Sequence, residues 1–135
     1  MQLLGLAIMS LAILMYGVIP LLADLNRTHA TSPRWPAHAR FHVVTQVLTT
    51  SAIAAVALWL LWSPNIDRRL GICIAAVLSF CVIGGFFASA ALRRHYGGAL
   101  SDREGGIPQI RNIDLNSLNF GAAAVLLIMG RLILL

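Results

Sequence analysis

The sequence predicts an all-α protein, an integral membrane four-helix bundle formed as a single domain over residues 1–135. Three observations carry this expectation. Hydrophobic residues make up 59% of the chain and charged residues 11%, against roughly a quarter charged in ordinary soluble domains. A soluble domain of this size could not cover so much apolar surface. The apolar residues are gathered into four runs, each near the 20 or so residues that a helix needs to cross a hydrocarbon core. Polar residues fall between the runs, in two long segments and one tight turn. Backbone groups in lipid must bond within their own segment, so helices are the expected spans.

The first span is Met1 to Ala23. It has no basic residues at its start and no small-x-small pattern before Asp24, so it reads as a retained span and not a secretion signal. Pro20 removes a backbone donor and frees a carbonyl near Tyr16, which predicts a bend. The first long polar segment is "DLNRTHATSPRWPAHARFH", Asp24 to His42. The second span, Val43 to Trp62, carries Trp59 and Trp62 at its far end as interfacial belt residues. The turn "SPNIDRR", Ser63 to Arg69, has Pro64 and Asn65 as breakers.

The third span, Leu70 to Leu92, is dense in small residues. Gly84 with Ala88, and Gly85 with Ser89, are small-xxx-small pairs that allow close helix approach and a homo-oligomer. Cys73 and Cys81 also lie here. At a rise of about 1.5 Å per residue they stand about 12 Å apart, too far to bridge each other, and they read as small packing residues. The second long segment, Arg93 to Asn112, holds two Gly-Gly pairs and Pro108 and reads as a loop with turns. Neither pair fits a phosphate-cradling motif, so nucleotide binding is not supported. The fourth span is Ile113 to Leu135.

All ten basic side chains are arginine. Their net charge of +5 is spread over short connections, which points to membrane topology and not to nucleic acid. With four spans the two long segments share one side. They hold Arg27, Arg34, Arg40, Arg93, Arg94, Arg103 and Arg111, while the other side holds Arg68, Arg69 and Arg131. By the positive-inside rule the long segments face the cytoplasm and both termini face outward.

The chemistry concentrates in the first long segment. His38 and His42 stand four apart, so on a helix they share a face. That face continues through Thr45, Gln46, Thr49 and Thr50, and is expected to turn toward the bundle interior, because a polar stripe in lipid is costly. The HxxxH spacing also suits two imidazoles on one metal ion, with His29 and Asp24 available to complete a transition-metal site. The soluble metalloprotease signature is absent, since Ala39 stands where its glutamate would be. Asp24 opposes the macrodipole at a helix C-terminus; it is expected to pair with Arg40 or with a histidine, as a general base or as an orienter. Asn26 and Trp35 flank these groups. In the fourth span Asn112, Asn116 and Asn119 are spaced to share a face, and Asp114 suits a helix start. This second polar face should enter the membrane from the same side as His38 and His42.

The run "DLNRTHATSPRWPAHARFH" resembles a signature of small, poorly characterised bacterial four-span membrane proteins, in which an aspartate ends the first helix and a WPxHARFH-like run leads into the second. The resemblance implies a bacterial inner-membrane location. In layout the chain also looks like DoxX-type proteins and the EXPERA group of sterol isomerases and sterol-binding receptors, whose bundles hold acidic or histidine residues in a membrane pocket. The isomerase glutamates have no counterpart, because Glu104, the sole glutamate, lies in a loop.

Three functions follow. In the first, a pocket on the cytoplasmic side takes a lipophilic small molecule, with Asp24, His29, His38, Arg40 and His42 on one wall. Asn26, Trp35, Gln46, Thr49, Asn112, Asp114, Asn116 and Asn119 are the substrate-binding candidates. As an enzyme, isomerase- or hydrolase-like, it would move a proton on a histidine, orient that histidine with Asp24 and stabilise oxyanion charge with Arg40. The second is a metal-dependent membrane enzyme using His29, His38, His42 and Asp24. The third is a non-enzymatic accessory subunit or small transporter; coupled ion transport is disfavoured because spans one to three carry no charge between their ends.

Overall fold

A computed structural model of the protein describes residues 1–100, 109–110 and 113–135. Its helices are α1 (Gln2–Asp24), α2 (Ala37–Trp62), α3 (Arg68–Leu92) and α4 (Leu115–Ile133). A 3-10 turn, Arg93–Tyr96, extends α3. Two short antiparallel strands, β1 (Gln109–Ile110) and β2 (Ile113–Asp114), lead into α4, with Gln109 opposite Asp114. The helices alternate in direction. The end of α1, the start of α2, the end of α3 and the start of α4 therefore meet at one end of the bundle, the end of the two long connections.

Local chemistry sets the helix boundaries. The Asp67 carboxylate accepts from the Leu70 N–H at 2.9 Å and starts α3. Asp114 accepts from the Ser117 N–H at 2.8 Å and starts α4. Each satisfies a donor that the first helical turn leaves orphaned. α2 begins at Ala37, six residues before the apolar run does. Pro36 lies just outside the helix, and its carbonyl accepts the first helical bond from the Arg40 N–H at 3.2 Å. Hydropathy marks where lipid begins; Pro36 marks where the helix begins, so the polar "HARFH" turn is helical.

Each helix buries one stripe. Met9, Ile13 and Tyr16 of α1 meet Ala54, Ala57 and Leu61 of α2, Ile72, Ala75 and Ile83 of α3, and Phe120, Ala123 and Leu127 of α4 in one core. The spacings are those of residues that share a helix face. α1 packs extensively on α4 and on α2, α2 on α3, and α3 less closely on α4, which closes the ring in chain order. The outer faces keep Leu11, Leu14, Val56, Val77, Phe80, Val125, Ile128 and Leu132 exposed. An apolar exterior on four helices, each long and apolar enough to span a membrane, is the inverse of a soluble surface. The protein is an integral membrane four-helix bundle.

Isolated glycines, and not the Gly84–Ala88 and Gly85–Ser89 pairs of the third span, let the helices approach. A Cβ on Gly130 would sit 2.9 Å from both the Gly5 carbonyl oxygen and the Met9 nitrogen, so α1 and α4 cross backbone to backbone. A Cβ on Gly17 would collide with Ala54 of α2. At Gly84 and Gly85 a Cβ would meet nothing within 4 Å. The expectation that these two glycines tighten the bundle is therefore corrected. The close crossings set a glycine of one helix against the backbone or an alanine of another, Gly71 against the Leu60 carbonyl among them, and a one-helix pattern does not display them.

Tyr16, Ser51 and Asn119 bond across helices in the bundle interior. The Ser79 hydroxyl donates to the Ala75 carbonyl at 2.7 Å, so the Tyr16 hydroxyl, 3.0 Å away, donates to Ser79. Pro20 lacks the N–H that the Tyr16 carbonyl would receive. The carbonyls on either side of Tyr16 are used between helices: Asn119 Nδ2 donates to Met15 at 3.2 Å, and Ser51 donates to Gly17 at 2.8 Å.

Candidate functional site

Four helices leave a cleft at the end of the long connections. It encloses about 440 Å³ and draws on all four helices: Pro20 and Asp24 of α1; Gln46, Thr50 and Ile53 of α2; Cys81, Val82, Gly85, Phe86 and Ser89 of α3; Asn116 and Phe120 of α4. Its chemistry is divided. Asp24, Gln46, Thr50, Ser89 and Asn116 supply polar groups, while Ile53, Val82, Phe86 and Phe120 supply apolar walls. Phe86 and Phe120 stack with centroids 4.2 Å apart and planes 4° from parallel, which ties α3 to α4 beside the cleft.

Helix geometry explains which members of the α2 stripe reach this cleft. Val47, Ala54, Ala57 and Leu61 define the buried face of α2. A step of four residues turns the helix by about 40° beyond a full turn. Along His38, His42, Gln46 and Thr50 the side chain therefore migrates from the outside of the bundle to the flank of that face. His38 and His42 are exposed, and Gln46 and Thr50 line the cleft. Thr45 and Thr49 are also exposed and stand outside the cleft. Of the stripe expected to turn inward, Thr50 is half-buried and Gln46 exposed at the edge of the cleft; Thr45 and Thr49 do not turn inward and lie about half a turn from Val47.

The first connection is folded on itself. The Asn26 side-chain oxygen accepts from the Thr28 N–H at 2.8 Å and from the Thr28 hydroxyl at 2.6 Å, while its amide donates to the Ala23 carbonyl at 2.6 Å. Thr28 has one proton and gives it to Asn26, so the 2.7 Å contact between Thr28 Oγ1 and His29 Nδ1 places the proton on Nδ1. The same Nδ1 lies 3.7 Å from the Asp24 carboxylate, and both side chains are largely buried. Asp24 is thus partnered by a histidine and not by Arg40. Trp35 packs edge-on against the His29 ring at 5.1 Å and 81°, and the fold holds His29 between an indole and a carboxylate.

The remaining candidates separate. His38 and His42 form their own pair, Nε2 to Nε2 at 3.0 Å. Arg40 is half-buried and its Nε has no hydrogen-bond partner among the described residues. Asp114 is buried as the cap of α4. Asn116 lines the cleft; Asn119 lies one turn deeper, on Met15, with its side-chain oxygen buried and unpartnered among the described residues. Asn112 lies outside the described residues. Among those described, no three histidine, cysteine or acidic side chains gather as metal ligands, so the set His29, His38, His42 is divided between two places. Sequence reasoning read Gly85 and Ser89 as a helix-packing pair and Phe86 and Phe120 as ordinary span residues; their place in the cleft shows only when α3 and α4 are set beside each other.

Fold and cleft together define a class: a small, four-span, all-helical membrane protein with a mixed polar and apolar cleft at one end. Residues 8–99 match the model of a family of unknown function, DUF6640, and the chain belongs to that family. The match takes in the whole of "DLNRTHATSPRWPAHARFH", most of α1, and all of α2 and α3. No curated protein matches the chain, and no solved structure does.

Proposed function

We propose that the protein binds a lipophilic small molecule in the cleft between its four helices, with the polar end of the ligand at Asp24, Gln46 and Asn116. The observation that supports this reading is the convergence of a carboxylate and two amides from three helices over an apolar floor. Ligand sites commonly enclose about 300–1,000 Å³ and combine apolar walls with a few polar groups, and the cleft has that volume and that division. Each amide both donates and accepts, so the site suits a hydroxyl- or carbonyl-bearing lipid such as a sterol, an isoprenoid or a quinone. His29 Nδ1 is bonded to Thr28 and lies 3.7 Å from Asp24; its other ring nitrogen is Nε2. An acid-base step on a bound ligand would use that nitrogen.

The orientation that goes with this function puts both termini outside and the cleft on the cytoplasmic side of a bacterial inner membrane. Arginine counts on the two sides support it.

The test is to extract and identify, by mass spectrometry, the lipids retained by untagged protein after detergent exchange, beside the Asn116→Leu and Gln46→Leu variants. One species retained near one per chain, and lost from both variants, is the expected result. Retention of bulk lipid alone, in the same amounts by all three proteins, would overturn the reading.

A further inference from the structure

His38 and His42 project from successive turns at the start of α2, outside the cleft and four residues short of Gln46. Their Nε2 atoms face one another at 3.0 Å, with the rings 82° apart and centroids 4.4 Å apart. Both side chains are exposed. We propose that this pair is a two-imidazole chelate for a divalent transition metal at the membrane edge. The inference does not rest on the lipid-binding reading.

The geometry carries it. Imidazole nitrogens bind zinc at about 2.0–2.1 Å. Two nitrogens 3.0 Å apart, each at that distance from one ion, subtend about 91–97° at the metal. This is the cis angle of square-planar and octahedral sites, the arrangements favoured by copper(II) and nickel(II). A tetrahedral zinc ion needs the nitrogens about 0.3 Å further apart, which a small side-chain rotation supplies. Exposure leaves the other coordination positions to water or to a ligand from outside the chain.

Protonation is compatible. In the hydrogen-bonded pair one Nε2 carries the proton and the other accepts it. Metal binding needs both as acceptors, and a tautomer shift on one neutral ring, moving its proton to Nδ1, provides that without net proton loss. Asp24, the acidic side chain nearest to the pair in sequence among the described residues, is engaged with His29. Phe41 packs edge-on against the His42 ring at 5.9 Å and restrains its rotation.

The experiment is calorimetric titration of nickel(II), and separately zinc(II), into untagged protein in detergent. Wild type, His38→Ala, His42→Ala, His38→Gln and His29→Ala are compared, with circular dichroism to verify the helices. One saturable site per chain is expected. It is weakened at least about tenfold, the smallest loss that follows even when an outer-shell partner is removed, by each change at His38 or His42. His29→Ala is expected to bind as wild type does. Metal competes with protons for imidazole, so affinity falls as pH is lowered. Absence of saturable binding overturns the proposal. Equal affinity in His38→Ala and wild type also overturns it, as does an equal loss in His29→Ala. Because both histidines are exposed and off the core, the variants are expected to keep wild-type helicity; a variant that does not is read through the His38→Gln form.

Discussion

Gly84 and Gly85 are neighbours on α3 and offer a matched pair of substitutions. At each, a new Cβ would meet nothing within 4 Å. They differ in what lies beyond: Gly85 lines the cleft and Gly84 does not. Replacing either with leucine removes the same glycine from a helix interior, a change that favours the helix by up to about 1 kcal/mol on soluble scales. Both variants should therefore fold, and both should be at least as stable as wild type. Only Gly85→Leu puts four carbons into the space that the ligand would occupy. A lipophilic ligand arrives from the bilayer and not from water, so its transfer free energy is not what the leucine removes. What it loses is packing, and overfilling a packed site costs about 1–3 kcal/mol. That range corresponds to roughly a five- to 150-fold rise in Kd. The assay is a titration of wild type and both variants with the molecule that copurifies with wild type. Equal weakening by Gly84→Leu and Gly85→Leu, or no weakening by either, would refute the assignment of the ligand to the cleft.

Three further outcomes follow from the packing and the topology. Gly130→Ala sets a methyl 2.9 Å from the Gly5 carbonyl oxygen and the Met9 nitrogen and should cost about 1–3 kcal/mol in detergent-denaturant unfolding; an unfolding midpoint equal to that of Gly84→Ala would contradict the crossing. Tyr16→Phe removes the inter-helix bond to Ser79 but leaves Ser79 bonded to Ala75, so a loss of about 0.5–1.5 kcal/mol is expected, the range for side-chain bonds between membrane helices. A loss above 3 kcal/mol in the same assay would mean that the hydroxyl does more than bridge α1 and α3. Thr31→Cys, in a background with Cys73 and Cys81 replaced by alanine, should resist an impermeant thiol reagent in intact cells and react after lysis. Labelling before lysis would invert the proposed orientation.

The spans were legible because hydropathy over twenty residues is a bulk property, and no tertiary contact is needed to produce it. The start of α2 was half legible: Pro36 is a visible boundary, but a polar turn ahead of an apolar run does not announce whether it is helical. Asp24 was recognised as an unusual helix end, and its partner proved to be the histidine five residues on, which the Asn26 turn folds back to it. The interior direction of the α2 stripe was only partly readable. Gln46 and Thr49 differ by three residues and both are exposed, yet Gln46 lines the cleft and Thr49 stands outside it. The discriminating fact is which face of α2 is buried, the face of Val47 and of Ala54, which meets Gly17 of α1, and that depends on packing. The glycine contacts were hidden for a related reason. Gly5 and Gly130 are 125 positions apart, and neither belongs to a small-xxx-small pair within its own helix.

The crossing of α1 with α4 also bears on how the molecule is made. α1 is made before α4, yet the face that carries Gly5 and Met9 finds its partner on α4. Until then that face is in lipid, or against some other protein of the insertion machinery. Asn116 and Phe120 arrive with the same helix. The cleft is therefore completed only once α4 is in place, and a nascent chain that stalls after α3 carries the histidine-rich segment without the site beside it.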